Sequence, residues 1–110
     1  MKKLRAKADK LWQIKCVGEN PKCEGCGKIA YCCHHFIPKS IASALRYYLP
    51  NGVKICKECH FKIHNGDMVI VAKILEKRGK KWLEDLKEKR KQQIRVNKKY
   101  FEDIIQQLNG

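Results

Sequence analysis

All four histidines of this chain fall between positions 34 and 64: His34, His35, His60 and His64. Imidazole changes charge near neutral pH, and in its neutral form it is a common metal ligand. His60 and His64 stand four residues apart, so on a helix they share one face a turn apart. Two imidazoles at that spacing can grip one divalent cation. One more histidine from a neighbouring strand gives three protein ligands and an open coordination position, which marks a catalytic rather than a structural site. The alternative is that the histidines are neighbours of a zinc site with no catalytic duty.

Four of the seven cysteines form two Cys-x-x-Cys pairs, Cys23-Glu-Gly-Cys26 and Cys56-Lys-Glu-Cys59. Each such turn aims two thiolates at one point, and two turns complete a tetrahedron around Zn2+. Gly25 and Gly27 supply the backbone freedom that a knuckle turn needs. A redox pair is the competing reading, but neither segment sits in a βαβ pattern. The stretch 27–55 is longer than a minimal zinc ribbon requires, and it houses the His34–His35 pair. A closed four-cysteine site braces a fold and performs no chemistry. Cys16 and Cys32 read as small buried apolar side chains. Cys33 adjoins the histidines, within reach of a metal there, and is not counted among the ligands.

The elements that must position these groups are helices and a little strand, an α+β chain. Leu4, Ala8, Leu11, Trp12 and Cys16 form an apolar stripe over residues 2–16, which Gly18-Glu19-Asn20-Pro21 ends. A short apolar strand spans 29–33, and Ser40 is placed to cap a helix over 41–47. A helix opening near Cys59 puts His60 and His64 on one face. Asp67 caps a helix through Ile70, Val71, Ile74 and Leu75 that Gly79 closes. A charged helix follows from Lys80 to about Arg95, and Asn97 caps a last one carrying Tyr100, Phe101, Ile104, Ile105 and Leu108. The chain is read as a single domain, 1–110, comprising an N-terminal helix (1–20), a zinc-braced core (21–66) and basic C-terminal helices (67–110).

Lys and Arg number 25 against 11 Asp and Glu, a net charge of +14. Such a surface attracts and steers a polyanion, so nucleic acid is the expected partner. Residues 73–99 alone hold twelve Lys/Arg and four Asp/Glu. Their i,i+4 neighbours Glu84/Glu88 and Lys87/Lys91 are like-charged, which favours an external anion over self-pairing. No stretch is long and apolar enough to span a membrane, and no signal peptide is recognised at the basic start. A cytoplasmic chain with reduced thiols is expected.

The run His34-His35-Phe36-Ile37-Pro38, then Asn51, then Ile55-Cys56-x-x-Cys59-His60-x-x-x-His64 resembles the HNH (His-Me finger, ββα-metal) endonucleases in their zinc-binding variant. The spacings from Asn51 to His60 and from His60 to His64 are similar to those of the colicin-type toxin DNases. The resemblance implies a β-hairpin and helix around one Mg2+ or other divalent metal, with His34, His60 and His64 as ligands. It implies that His35 is the general base and that Asn51 fixes the catalytic loop. Pro50-Asn51-Gly52 is equally a type I′ turn signal. Adjacent strand residues point to opposite faces, which agrees with one ligand and one base. The implied reaction is hydrolysis of DNA to 5′-phosphate and 3′-hydroxyl ends. Residues 6–12, His35–Ser40, Leu45-Arg46-Tyr47 and Cys59–Gly66 are also similar to the phage recombination endonucleases called NinG or Rap. That resemblance implies branched DNA as substrate and a phage or bacterial setting in the host cytoplasm.

Lys39, Arg46, Lys54, Lys57 and Lys62 surround the motif and are expected to contact phosphates, which positions a substrate without reading its sequence. Tyr47 and Tyr48 can stack on bases but read more readily as core. The stripe from Tyr100 to Leu108 can pack inside the chain or against a second copy, and symmetric cutting of a junction would want a homodimer. Two other functions fit part of the pattern. A non-catalytic zinc-ribbon nucleic-acid-binding protein needs the cysteines but not the histidines. An RNase on the same motif needs both.

Overall fold

The computed structural model describes residues 1–110. Five α-helices surround a two-stranded antiparallel sheet, so the chain is α+β. Helix α1 (Lys2–Val17) buries Ala8 and Trp12, and Gly18 ends it by donating its N–H to the Ile14 carbonyl. Strand β1 (Cys32–His35) pairs with β2 (Gly52–Ile55), from Cys32 opposite Ile55 to His35 opposite Gly52. Helix α2 (Lys57–His64) follows β2 directly. Then come α3 (Met68–Arg78), α4 (Lys80–Arg90) and α5 (Lys98–Asn109). Asp67 caps α3 by accepting from the Val69 N–H, and Asn97 caps α5 by accepting from the Tyr100 N–H. Gly79 ends α3 at φ +89°, a conformation that favours glycine.

Several expected boundaries move. The strand lies at 32–35 rather than 29–33, and Ile29 makes only an isolated bridge with Lys22. Helix α2 starts at Lys57 rather than near Cys59, because the Cys56 sulfur caps it by accepting from the Cys59 N–H. Helix α4 ends at Arg90, five residues before Arg95. No α-helix spans 41–47. That loop forms one 3-10 turn, Ser43–Leu45, and Ser40 caps nothing. Its local preference yields to burial: Ala42, Ala44, Leu45 and Tyr47 all turn inward. The type I′ turn is also absent. Asn51 closes a 3-10 turn, Leu49–Asn51, and Gly52 is extended at φ −86°.

Three apolar clusters hold these elements together. Val53 and Ile55 of β2 pack with Ile70 and Ile74 of α3 around Cys23, Cys56 and Cys59. Trp12 and Ala8 of α1 pack with Phe101 and Leu108 of α5. Leu45 and Ala42 of the loop pack on Leu86 of α4. Tyr100, Ile104 and Ile105 pack, half-buried, against this same cluster. The α5 stripe thus packs within the chain, with Phe101 and Leu108 buried and Tyr100, Ile104 and Ile105 partly so.

The cysteines outside the knuckles differ from the expectation of reduced thiols. Cys16 at the end of α1 and Cys33 on β1 form a disulfide. Gly52 lets this staple approach: a Cβ there would collide with the Cys16 sulfur and stand 3.0 Å from Trp12. Cys32 remains free and half-buried.

Candidate functional site

The two knuckles meet. The sulfurs of Cys23, Cys26, Cys56 and Cys59 all lie within 4.8 Å of one another, and they are the one such group of ligand atoms in the chain. The Cys26 and Cys56 sulfurs are 3.6 Å apart. A tetrahedral zinc with bonds of about 2.3 Å wants sulfurs about 3.8 Å apart, so the residues present fit a structural Zn2+. Burial opposes ionisation of Cys23, but backbone N–H groups of Cys56, Cys26 and Gly25 outweigh it and hold the thiol at about 7. Of the two glycines, Gly27 is needed for its backbone, at φ +80°. Gly25 is needed for space, because a Cβ there would stand 2.9 Å from the Cys59 sulfur.

A buried ion pair braces the first knuckle. Arg78 of α3 donates to both Glu24 oxygens, at 2.7 and 2.6 Å, and to the Gly52 carbonyl at 3.0 Å. Glu24 also accepts from the Lys54 N–H at 3.0 Å. Lys73 donates to the Gly25 carbonyl at 3.0 Å. Two cations of the basic C-terminal stretch are thus spent inside the protein.

The histidines gather beside this centre, along one cleft of about 590 Å³ that Lys39 and Ser40 also line. His34 of β1 faces His60 and His64 of α2. The ring centres are 5.3 Å apart for His34–His60, 4.8 Å for His60–His64 and 6.4 Å for His34–His64. Imidazoles around one cation, with metal–nitrogen bonds of about 2.1 Å, put ring centres roughly 5 Å apart. Two edges of the triangle match that spacing and the third is wider. Burial, reinforced by the neighbouring histidines, lowers His34 to about 4. Its ring is therefore neutral at pH 7, with a lone pair available.

His35 has different surroundings. Its ring lies flat on Trp12 of α1, with centres 4.2 Å apart and planes 9° from parallel. Its Nε2 is 2.9 Å from the Arg46 carbonyl oxygen. A carbonyl can only accept, so Nε2 carries the proton and Nδ1 keeps the lone pair. Burial lowers the His35 pKa despite the opposing hydrogen bond to that carbonyl. Arg46 is itself held by Asp9 of α1, to which Nε donates at 3.0 Å and Nη2 at 2.8 Å. Asn51 is fully buried. Its oxygen accepts from the Ile37 N–H at 3.0 Å, and its amide donates to the carbonyls of Ile37 at 3.0 Å and Leu45 at 3.4 Å. The loop between the strands is thereby closed on itself.

The expected phosphate contacts do not converge on the histidine cleft. Only Lys39 borders the histidine cleft. Arg46 is taken by Asp9, Lys62 pairs with Glu58 at 3.4 Å and Lys57 lies 5.4 Å over the Tyr31 ring. Lys54 of β2 is half-buried. Trp12, Asp9 and the Cys16–Cys33 disulfide escape a reading by motif. The one local signal was an apolar stripe that places Trp12 on the inner face of α1. Tyr47 is core, and Tyr48 donates to Asp85 at 2.7 Å. No helix is long and apolar enough to cross a membrane. No protein-family model matches the chain, and neither the curated proteins nor the solved structures contain a match to it.

Proposed function

We propose that this chain is a metal-dependent endonuclease of the HNH type that hydrolyses phosphodiester bonds in DNA. The observation that carries the reading is His35, a neutral imidazole fixed by Trp12 and the Arg46 carbonyl, with Nδ1 free beside three further histidines. A single buried histidine needs no function. One whose proton is parked on a backbone carbonyl, at the edge of an open cleft, has the form of a general base.

In this reading His35 Nδ1 takes a proton from the attacking water while the Arg46 carbonyl and Trp12 hold the ring. Asn51 keeps the loop that supplies that carbonyl in place. Lys39 offsets phosphate charge at the rim. His34, His60 and His64 are the residues that would hold Mg2+ or another divalent cation. When bound, that cation stabilises the charge on the scissile phosphate and the leaving oxygen. Water adds to phosphorus as the bond to the 3′-oxygen breaks, and the departing 3′-oxygen takes a proton from solvent water, which leaves 5′-phosphate and 3′-hydroxyl ends. The four-cysteine centre takes no part in the reaction and anchors α2, which carries two of the four histidines.

The test is cleavage of supercoiled plasmid and of a synthetic four-way junction with EDTA, Mg2+ or Mn2+, comparing wild type with His35→Ala. The expected result is metal-dependent nicking that His35→Ala lowers by about 100-fold or more, with DNA binding retained. A preference for the junction would point to branched recombination intermediates. Binding without cleavage under every metal would overturn the enzyme and leave a zinc-stapled nucleic-acid-binding protein.

A further inference from the structure

Behind the loop that holds His35 lies a second pocket, of about 190 Å³, whose walls include Arg5, Lys39, Ser43, Arg46, Tyr100 and Phe101. Three cations and the Ser43 hydroxyl converge there from α1 and the loop between the strands, and the first turn of α5 adds the rings of Tyr100 and Phe101. One carboxylate, Asp9, stands against them. It occupies Nε and Nη2 of Arg46 and leaves Nη1 unused. Arg5 has no carboxylate partner; its guanidinium sits 5.9 Å from the Phe101 ring centre, which orients it towards this wall. The positive end of α5 adds to the field. Like charges repel, so a concave cluster of this kind is stable without an anion only at a cost, and it is shaped to receive one. The volume exceeds one water's share of about 30 Å³ several times over, which is room for a tetrahedral phosphate with part of its esters.

The position gives the source of that phosphate. Lys39 lines both this pocket and the histidine cleft. Arg46 joins them too, its carbonyl on His35 and its guanidinium in the pocket. We infer that the pocket binds a backbone phosphodiester of the nucleic-acid strand, a neighbour of the phosphate in the cleft. This rests on the nuclease reading for what occupies the cleft, but the pocket's affinity for a phosphate does not require cleavage. Arg46, through its Asp9 pair, then links strand binding to the carbonyl that orients the base.

The experiment uses the full zinc-loaded chain without added Mg2+ and titrates it with a short oligothymidylate lacking terminal phosphates, then with inorganic phosphate. Affinity is read by calorimetry and location by the NMR signals of the Arg5 side chain and the Ser43 amide. Arg5→Gln is expected to weaken oligonucleotide binding by about tenfold, the worth of one charged hydrogen-bonded contact. Arg5→Lys should recover part of the loss, and both signals should move in wild type. Lys87→Gln, on the exposed face of α4, removes the same charge and should change binding by less than about twofold. Equal losses in Arg5→Gln and Lys87→Gln would overturn the pocket in favour of net charge. Inorganic phosphate that saturates these signals and is not displaced by the oligonucleotide would overturn the strand as its source. The pocket and the nuclease fail separately. Tenfold weakening in a chain that never cuts retains the pocket and removes the nuclease. Cleavage with unchanged KM in Arg5→Gln does the reverse.

Discussion

At the scale of single residues, the site separates into groups that face the cleft and groups that hold them. Asn51 belongs to the second kind, because every hydrogen bond of its side chain goes to the loop 37–45. Asn51→Ala leaves the Ile37 N–H and carbonyl without partners in a buried place. Each such orphan costs about 1–3 kcal/mol, so urea unfolding should report a loss of roughly 2–4 kcal/mol. A loss under about 0.5 kcal/mol would mean that water replaces the side chain and that Asn51 does not close the loop. Asp9 gives a pH signature. Burial would raise its pKa, but the hydrogen bond and charge of Arg46 overcome this and hold the carboxyl below its ordinary value. A depressed folded pKa stabilises the protein above the unfolded value of about 3.9 and loses that contribution as pH falls through the folded value. The stability gap between wild type and Asp9→Asn should therefore be constant from about pH 7 to about pH 5 and should close below about pH 4. A gap that persists at about pH 2.5 would remove the ion pair as its cause. The histidines and knuckle cysteines were legible as a set because residue type and spacing are local. The Asp9 partner of Arg46 was not legible, because it lies 37 residues away in sequence.

At the scale of elements, α1 is the arm that reaches over the site. It contributes Trp12 to the His35 stack, Asp9 to Arg46, and Gln13, which both donates to and accepts from the Cys33 backbone at 2.8 and 2.9 Å. The Cys16–Cys33 disulfide fastens the same helix to β1. Helices α1, α3 and α5 were readable from apolar period and from the caps Asp67 and Asn97, since both signals lie within a few residues. The loop 36–51 was not, because burial of Leu45 and Tyr47 and the carbonyl contacts of Asn51 override its local helical preference. The disulfide was not readable either: two isolated cysteines carry no mark of their pairing. It closes a loop of sequence separation 17, worth about 3 kcal/mol in the unfolded chain. The double variant Cys16→Ser/Cys33→Ser should lose about that much stability without loss of zinc. Trp12→Ala should lose about 3–5 kcal/mol, whereas Trp12→Phe keeps an aromatic face for His35 and most of the nicking rate. Equal nicking rates in the two Trp12 variants, after correction for the folded fraction, would mean that the stack does not position the base.

At the scale of the whole molecule, the four-cysteine cluster is built into the main core on three of its four sides, with Cys26 alone exposed. Cys23, Cys56 and Cys59 pack against Val53, Ile55, Ile70 and Ile74, so the sulfurs connect the first knuckle, β2, α2 and α3. A chain of 110 residues buries a modest core, and a structural metal at these sulfurs would supply part of the folding free energy that burial does not. Two metal dependences should follow, and they should separate. Stripping zinc with a strong chelator, or Cys59→Ser, should lower Tm by well over 10 °C, since even a few kcal/mol shifts a domain of this size by about 4–8 °C per kcal/mol. Zn2+ should restore it and Mg2+ should not. His64→Ala sits on an exposed position of α2, so it should leave Tm within about 2 °C while abolishing Mg2+-dependent cleavage. Stoichiometric loss of zinc with an unchanged Tm would show that the four sulfurs are incidental to the fold. A fall in Tm with His64→Ala equal to that of Cys59→Ser would merge the two sites into one structural centre and remove the ground for an open catalytic position beside it.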